Sequence, residues 1–144
     1  MSQLYFEDFA PGQRYEGGTH VLDEKAFAAF AALTGDAHPI HYDKAYAQAT
    51  KFGERVAHGL LVVAMSALGA TALSPRLRES MVAFAEQGFR FRRAVLIGDS
   101  VRPVFTVEAV EPVKKRVRFK VEIFNGKGEL AAEGFHEYVL KNRS

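Results

Sequence analysis

Asp36 and His41 stand five residues apart in the stretch TGDAHPIHYD, which runs from Thr34 to Asp43, with His38 and Pro39 between them. Carboxylate and imidazole have ordinary pKa values of about 3.9 and 6.5. Both accept a proton near neutrality, and the imidazolium can return one. Set on either side of a single water, they could deprotonate it and deliver a proton elsewhere. Side chains at i and i+5 diverge on a regular helix, whereas a chain bent at Pro39 can turn both toward one point. A plainer reading stays open from these residues alone: Asp36 closes an Asx turn, and His41 bonds a backbone carbonyl.

The same residues admit other chemistries. Asp36, His38, His41 and His58 are a conceivable ligand set for zinc or iron, but their spacing matches none of the usual ligand patterns, and the expectation is no metal. Ser66 sits in an apolar segment without the glycines of a nucleophile elbow, which argues against an acyl-serine route. His58-Gly59 opens that apolar segment. A first-turn amide has no intrahelical acceptor, so an oxyanion could sit there. Equally, Gly59 could serve close packing and His58 could cap or pack.

These groups need elements to hold them. Asp23 is a candidate cap for a helix through EKAFAAFAAL, with Phe27, Phe30 and Ala31 on one face, ended by Thr34-Gly35. Pro39 disfavours helix at His38, so a loop is expected there. Asp43 can cap a short helix, KAYAQAT. The run from Gly59 to Leu73 is apolar nearly all round, with small residues at Ala64, Ala67, Gly69 and Ala70. It reads as one long buried helix stopped by Ser74-Pro75. The second half alternates: MVAFAEQGFRFRRAV, VRPVFTVEAV, KRVRFKVEIF and LAAEGFHEYVL are strand patterns, and Asn125-Gly126-Lys127-Gly128 is a hairpin turn. Arg14 to Val21 is a further short strand. Phe84, Phe89 and Phe91 are expected in the core. The sum is an α+β domain in which a curved antiparallel sheet wraps one central apolar helix.

Composition narrows the partners. The chain has 144 residues, a formal charge of +2 and no cysteine. That length suits one domain, residues 1–144. The charge is too small to suggest general nucleic-acid binding, and the absence of cysteine fits a reducing compartment. The N-terminus MSQLYFEDF carries no signal peptide pattern, and the apolar run falls short of the ~20 residues that span a bilayer. A cytoplasmic protein without membrane partner is expected.

The span FAALTGDAHPIHYDKAYA followed by RVAHGLL resembles the MaoC-like dehydratase family and is similar to its (R)-specific enoyl-CoA hydratases. Phe30, Thr34, Gly35, Asp36, Pro39, Ile40, His41 and Ala47 carry the match. YFEDFAPGQRY and GDSVRP extend it along most of the chain. The resemblance implies a hot-dog fold, a homodimer built from paired sheets or a higher homo-oligomer of such dimers, and acyl-CoA bound near the subunit interface without cofactor. It places Asp36 and His41 on the catalytic pair and Gly59 near the helix start that receives the thioester oxygen, with His58 and His38 beside the substrate. Two positions depart from the pattern: His38 stands where asparagine is usual, and Ala64 where a serine is frequent. Arg90, Arg92 and Arg93 are candidates for the CoA phosphates, although strand alternation puts Arg93 opposite the other two. The implied reaction is hydration of a trans-2-enoyl-CoA to an (R)-3-hydroxyacyl-CoA. Rival readings are an acyl-CoA thioesterase, a non-catalytic acyl-CoA-binding subunit, and a dehydratase acting on acyl-carrier protein.

Overall fold

A computed structural model describes residues 2–68 and 71–144. Strands β1 (Arg14–Glu16) and β2 (His20–Val21) precede helices α1 (Glu24–Thr34), α2 (Pro39–Tyr42), α3 (Lys44–Gln48), α4 (Gly59–Ala64) and α5 (Leu73–Arg76). Four long strands follow: β3 (Met81–Phe91), β4 (Ser100–Glu111), β5 (Arg116–Asn125) and β6 (Leu130–Leu140). They form one antiparallel sheet in the order β1-β4-β5-β6-β3, with β2 also on β4.

Alternation sorts the sheet into two faces. In β5, Val117, Phe119, Val121 and Ile123 are buried, while Arg116, Arg118 and Lys120 point the other way into ion pairs with Glu137, Glu108 and Glu122. The apolar face packs on Leu22, Phe27, Leu61, Val62, Leu73 and Leu77. Burying each large side chain there contributes about 1.5–3 kcal/mol. This is the hot-dog layout, a curved sheet folded around a helical segment.

That segment is shorter than the sequence suggests. Helix α4 stops at Ala64, a turn follows through Ser66, and α5 starts at Leu73. Gly69 and Ala70, expected to ease close packing, lie outside the described residues. The run is not wrapped on all sides, because Leu60 keeps 70% of its surface exposed. An all-apolar run lacks the periodicity that marks helix ends, which is why its pattern overstated the helix. Pro75 does not end a helix but sits inside the first turn of α5, where a missing amide hydrogen is tolerated. The expected strand from Arg14 to Val21 is two short ones, separated where Gly17 bridges to Thr71.

At the other end of the sheet, β3 has no partner strand on its outer edge among the described residues. It exposes 54% of both Phe84 and Phe91, contrary to their expected burial; Phe89 does pack on the core. The strand ends at Phe91, so Arg92 and Arg93 lie beyond it, both donating backbone hydrogen bonds to the Ala131 carbonyl.

Candidate active site

Helix α1 leads into the site. Asp23 caps it through the Ala26 amide, and Gly35 ends it at a φ of +78°, a left-handed turn that glycine adopts without strain. The chain then reverses into Asp36. The loop expected next is a single helical turn, α2. Pro39 occupies its first position, where the missing amide hydrogen is harmless, and His38 before it takes the extended conformation that proline demands. His38 caps the turn, its Nδ1 accepting from the Ile40 amide at 3.1 Å. Its ring is 6.2 Å from that of His41, centroid to centroid.

The connector from Arg55 to Ala57 fixes α2 in place. The Val56 amide donates to the Ile40 carbonyl, and the Ala57 amide to the Val95 carbonyl. Arg55 is the main brace. Only 9% exposed, it donates from Nε to the His41 carbonyl at 2.6 Å and pairs with Glu24 on α1. Its guanidinium also lies over the rings of Phe27 and Tyr42. Nothing local marks Arg55 in the sequence, since its partners are 14 and 31 residues away.

His41 donates from Nδ1 to the Val56 carbonyl at 2.7 Å, because a carbonyl can only accept. The neutral ring therefore presents a bare Nε2, which is the basic atom. Asp36 accepts from the His38 amide at a long 3.4 Å through one oxygen only. Both features of the plainer reading are thus present, an Asx-type contact and a backbone-bonded imidazole. Each occupies one polar atom and leaves the other available.

Asp36, His41 and His58 each bring one polar atom to within 4.8 Å of the others. A water hydrogen-bonded to two groups spans about 5 Å or a little more between them, so one molecule can bridge Asp36 and His41. The same trio invites a metal, and its geometry argues against one. The His41 and His58 rings stack at 3.8 Å with planes 24° apart, so their in-plane lone pairs run side by side instead of converging. The Nε2 of His58 also lies 3.1 Å from both the Asp36 carbonyl and the Tyr42 hydroxyl. Burial pushes the His58 pKa below its ordinary value. It raises that of Tyr42, whose hydroxyl donates to the Phe27 carbonyl at 2.7 Å.

Gly59 follows as the first residue of α4. A Cβ built on it would meet Phe91 Cζ at 2.8 Å. Phe91, Gly59, Val56, Val62 and Val95, together with Arg92 and Arg93, line a cavity of about 380 Å³. Arg92 and Arg93 carry ion pairs with Glu133 and Glu129. Arg90 and Arg92 border a second groove on the outer sheet face, and Arg90 has no ion pair among the described residues. The three arginines therefore do not face one ligand together; only Arg92 and Arg93 border the cavity that reaches Gly59.

Residues 8–125 match the MaoC like domain family. The chain is 34% identical over 116 residues to an (R)-specific enoyl-CoA hydratase of Rhodospirillum rubrum, covering 81% of this chain and 78% of the relative. It is 34% identical over 119 residues to a 3-hydroxybutyryl-CoA dehydratase of Methylorubrum extorquens, covering 80% and 71%. The structure of the unliganded R-hydratase PhaJ1 from Pseudomonas aeruginosa superposes with a TM-score of 0.83 at 34% identity, over 98% of this chain and 88% of that one.

Proposed function

Because the chain belongs to the MaoC like domain family, we propose that it catalyses the reversible hydration of trans-2-enoyl-CoA to (R)-3-hydroxyacyl-CoA, a hydro-lyase reaction of fatty acid metabolism. The observation that carries the reading is the bare Nε2 of His41, its proton held on Nδ1 by Val56, on a ring that brings one nitrogen within 4.8 Å of an Asp36 carboxylate oxygen.

In the forward direction, Asp36 and His41 hold one water over C3. One of them takes its proton as the oxygen attacks, and a proton returns to C2 from the same side, giving syn addition. Negative charge moves onto the thioester oxygen during attack. The Gly59 amide receives it, where Gly59 and Phe91 line one cavity. Helix α4 is only six residues long, so the direct hydrogen bond matters here more than any helix dipole. Arg92 and Arg93, which line the same cavity, suit the anionic end of CoA. The chemistry proposed uses protein groups and water alone.

We read residues 1–144 as one such domain, acting as a homodimer. The bare edge of β3, with Val82, Phe84 and Phe91 exposed along it, supports strand-to-strand pairing with a second copy. Among the described residues no helix is long and apolar enough to cross a membrane. A cytoplasmic setting completes the reading.

Crotonyl-CoA tests it. Loss of enoyl absorbance without release of thiol, and an (R) centre at C3 of the product, are expected. Free CoA would indicate the thioesterase reading. Binding without turnover on any chain length would indicate a non-catalytic subunit.

A further inference from the structure

His58 is buried to 3% exposure, yet the reaction above assigns it no step. Its surroundings are specific. The Asp36 carbonyl can only accept a hydrogen bond. The Tyr42 hydroxyl has already given its proton to the Phe27 carbonyl, so it too is left to accept. Both face His58 Nε2 at 3.1 Å, which places the single ring proton there. Nδ1 is then a bare lone pair, and it has no hydrogen-bond partner among the described residues. One face of the ring stacks on His41, and the ring also meets Phe30 at 4.4 Å and Phe27 at 5.8 Å. In the backbone, His58 is the residue that caps α4 and immediately precedes Gly59.

We propose that His58 is a positioning residue for the hydration read above: as its neutral Nε2–H tautomer it pins the Asp36 loop by a hydrogen bond and the His41 ring by stacking, and holds both in register with the Gly59 amide. The three groups that must meet the substrate come from three elements: the loop after α1, the turn α2 and the start of α4. His58 touches all three. A second proton on Nδ1 would have no acceptor and would set a cation against the ring of His41. Asp36, His41 and Tyr42 are the titratable groups facing it, and α1 offers only Phe27 and Phe30. Burial and the neighbouring His41 both oppose that proton.

Two variants divide the contacts. His58→Gln keeps an amide donor near the Nε2 position and removes the stacked ring; His58→Phe keeps a ring and removes the donor. Misplacement of a reacting group by an ångström can lower turnover by about 10²-fold. Each variant is therefore expected to lose about 10- to 100-fold in kcat on crotonyl-CoA, with KM within about twofold of the wild type. A rise in KM at unchanged kcat would make His58 a substrate contact and overturn the proposal, as would wild-type kcat in either variant. Nitrogen-15 NMR of histidine-labelled wild-type protein reads the tautomer without turnover. At about pH 8 a protonated Nε2 and a bare Nδ1 are expected, and the ring should gain its second proton only below the ordinary imidazole range. An Nδ1–H tautomer, or a second proton gained at or above that range, would overturn it. Wild-type protein that hydrates no enoyl-CoA would strike the proposed reaction, while the NMR result still decides His58.

Discussion

Gly59 allows the role of one backbone amide to be isolated. It begins α4, where proline is well tolerated, and the preceding His58 has φ −56° and ψ 137°, the extended conformation a following proline requires. Gly59→Pro thus deletes the amide hydrogen while keeping the backbone path. Gly59→Ala is its control, because both variants add a Cβ and only one loses the donor. That Cβ would lie 2.8 Å from Phe91 Cζ, so the ring must withdraw by about 0.8 Å to reach ordinary contact. Phe91 is 54% exposed and can yield. The alanine variant also gains up to about 1 kcal/mol of helix preference over glycine, which offsets the adjustment. Its activity should remain within a few-fold of the wild type. Removing one oxyanion donor raises the barrier by about 3–4 kcal/mol, so the proline variant should fall about 10²–10³-fold in kcat below the alanine variant. Initial rates of crotonyl-CoA hydration measure the ratio, and circular dichroism checks the fold. A ratio under about fivefold, less than 1 kcal/mol, would refute the assignment of the thioester oxygen to this amide.

Asp36→Asn and His41→Ala should each lower hydration by several orders of magnitude with unchanged circular dichroism; near-wild-type rates in either would remove that residue from the mechanism. Arg55→Met keeps an apolar stem against Phe27 and Tyr42 but leaves the His41 carbonyl unpaired. The expected loss is about 1–3 kcal/mol, nearly all from that carbonyl because Glu24 is largely exposed, and thermal melting together with kcat on crotonyl-CoA should both fall. His136 is buried in the core, and burial lowers its pKa to about 4. Unfolded, it takes up a proton near pH 6.5, so its contribution to stability is complete above that pH and is lost as pH falls toward 4. The loss should approach about 3 kcal/mol in denaturant titrations, and this component should be missing from His136→Phe.

The sequence displayed those features that local chemistry decides. Asp23 and Asp43 cap the helices expected of them, Gly35 turns the chain at positive φ, and the alternation of β4 to β6 matches their buried faces. Features set by distant contacts were hidden. An apolar run without polar gaps cannot show where α4 ends. Pro39 signalled a break before itself but not the helical turn it begins. Arg55 and Tyr42 look like ordinary polar residues until α1, α2 and the connector are brought together. Phe84 and Phe91 read as core because alternation reports which way a side chain points, not whether the strand lies at an edge. His38, Asp36 and His41 were conspicuous by type, but the choice between turn-forming and proton-carrying roles depended on which atom each residue uses up.

Every group assigned to the reacting atoms falls between residues 36 and 59, and the six-stranded sheet supplies none of them. Phe91 at the end of β3 and its sequel through Val95 furnish instead half of the cavity lining, the rest coming from the connector and α4. Bond-making and accommodation of the guest molecule therefore meet at Gly59, while half of the cavity lining lies on a separate stretch of polypeptide. Substitutions at Phe91 or Val95 can reshape what enters while the proton-handling pair stays as it is. A scaffold divided in this way is free to acquire new guests without inventing new chemistry.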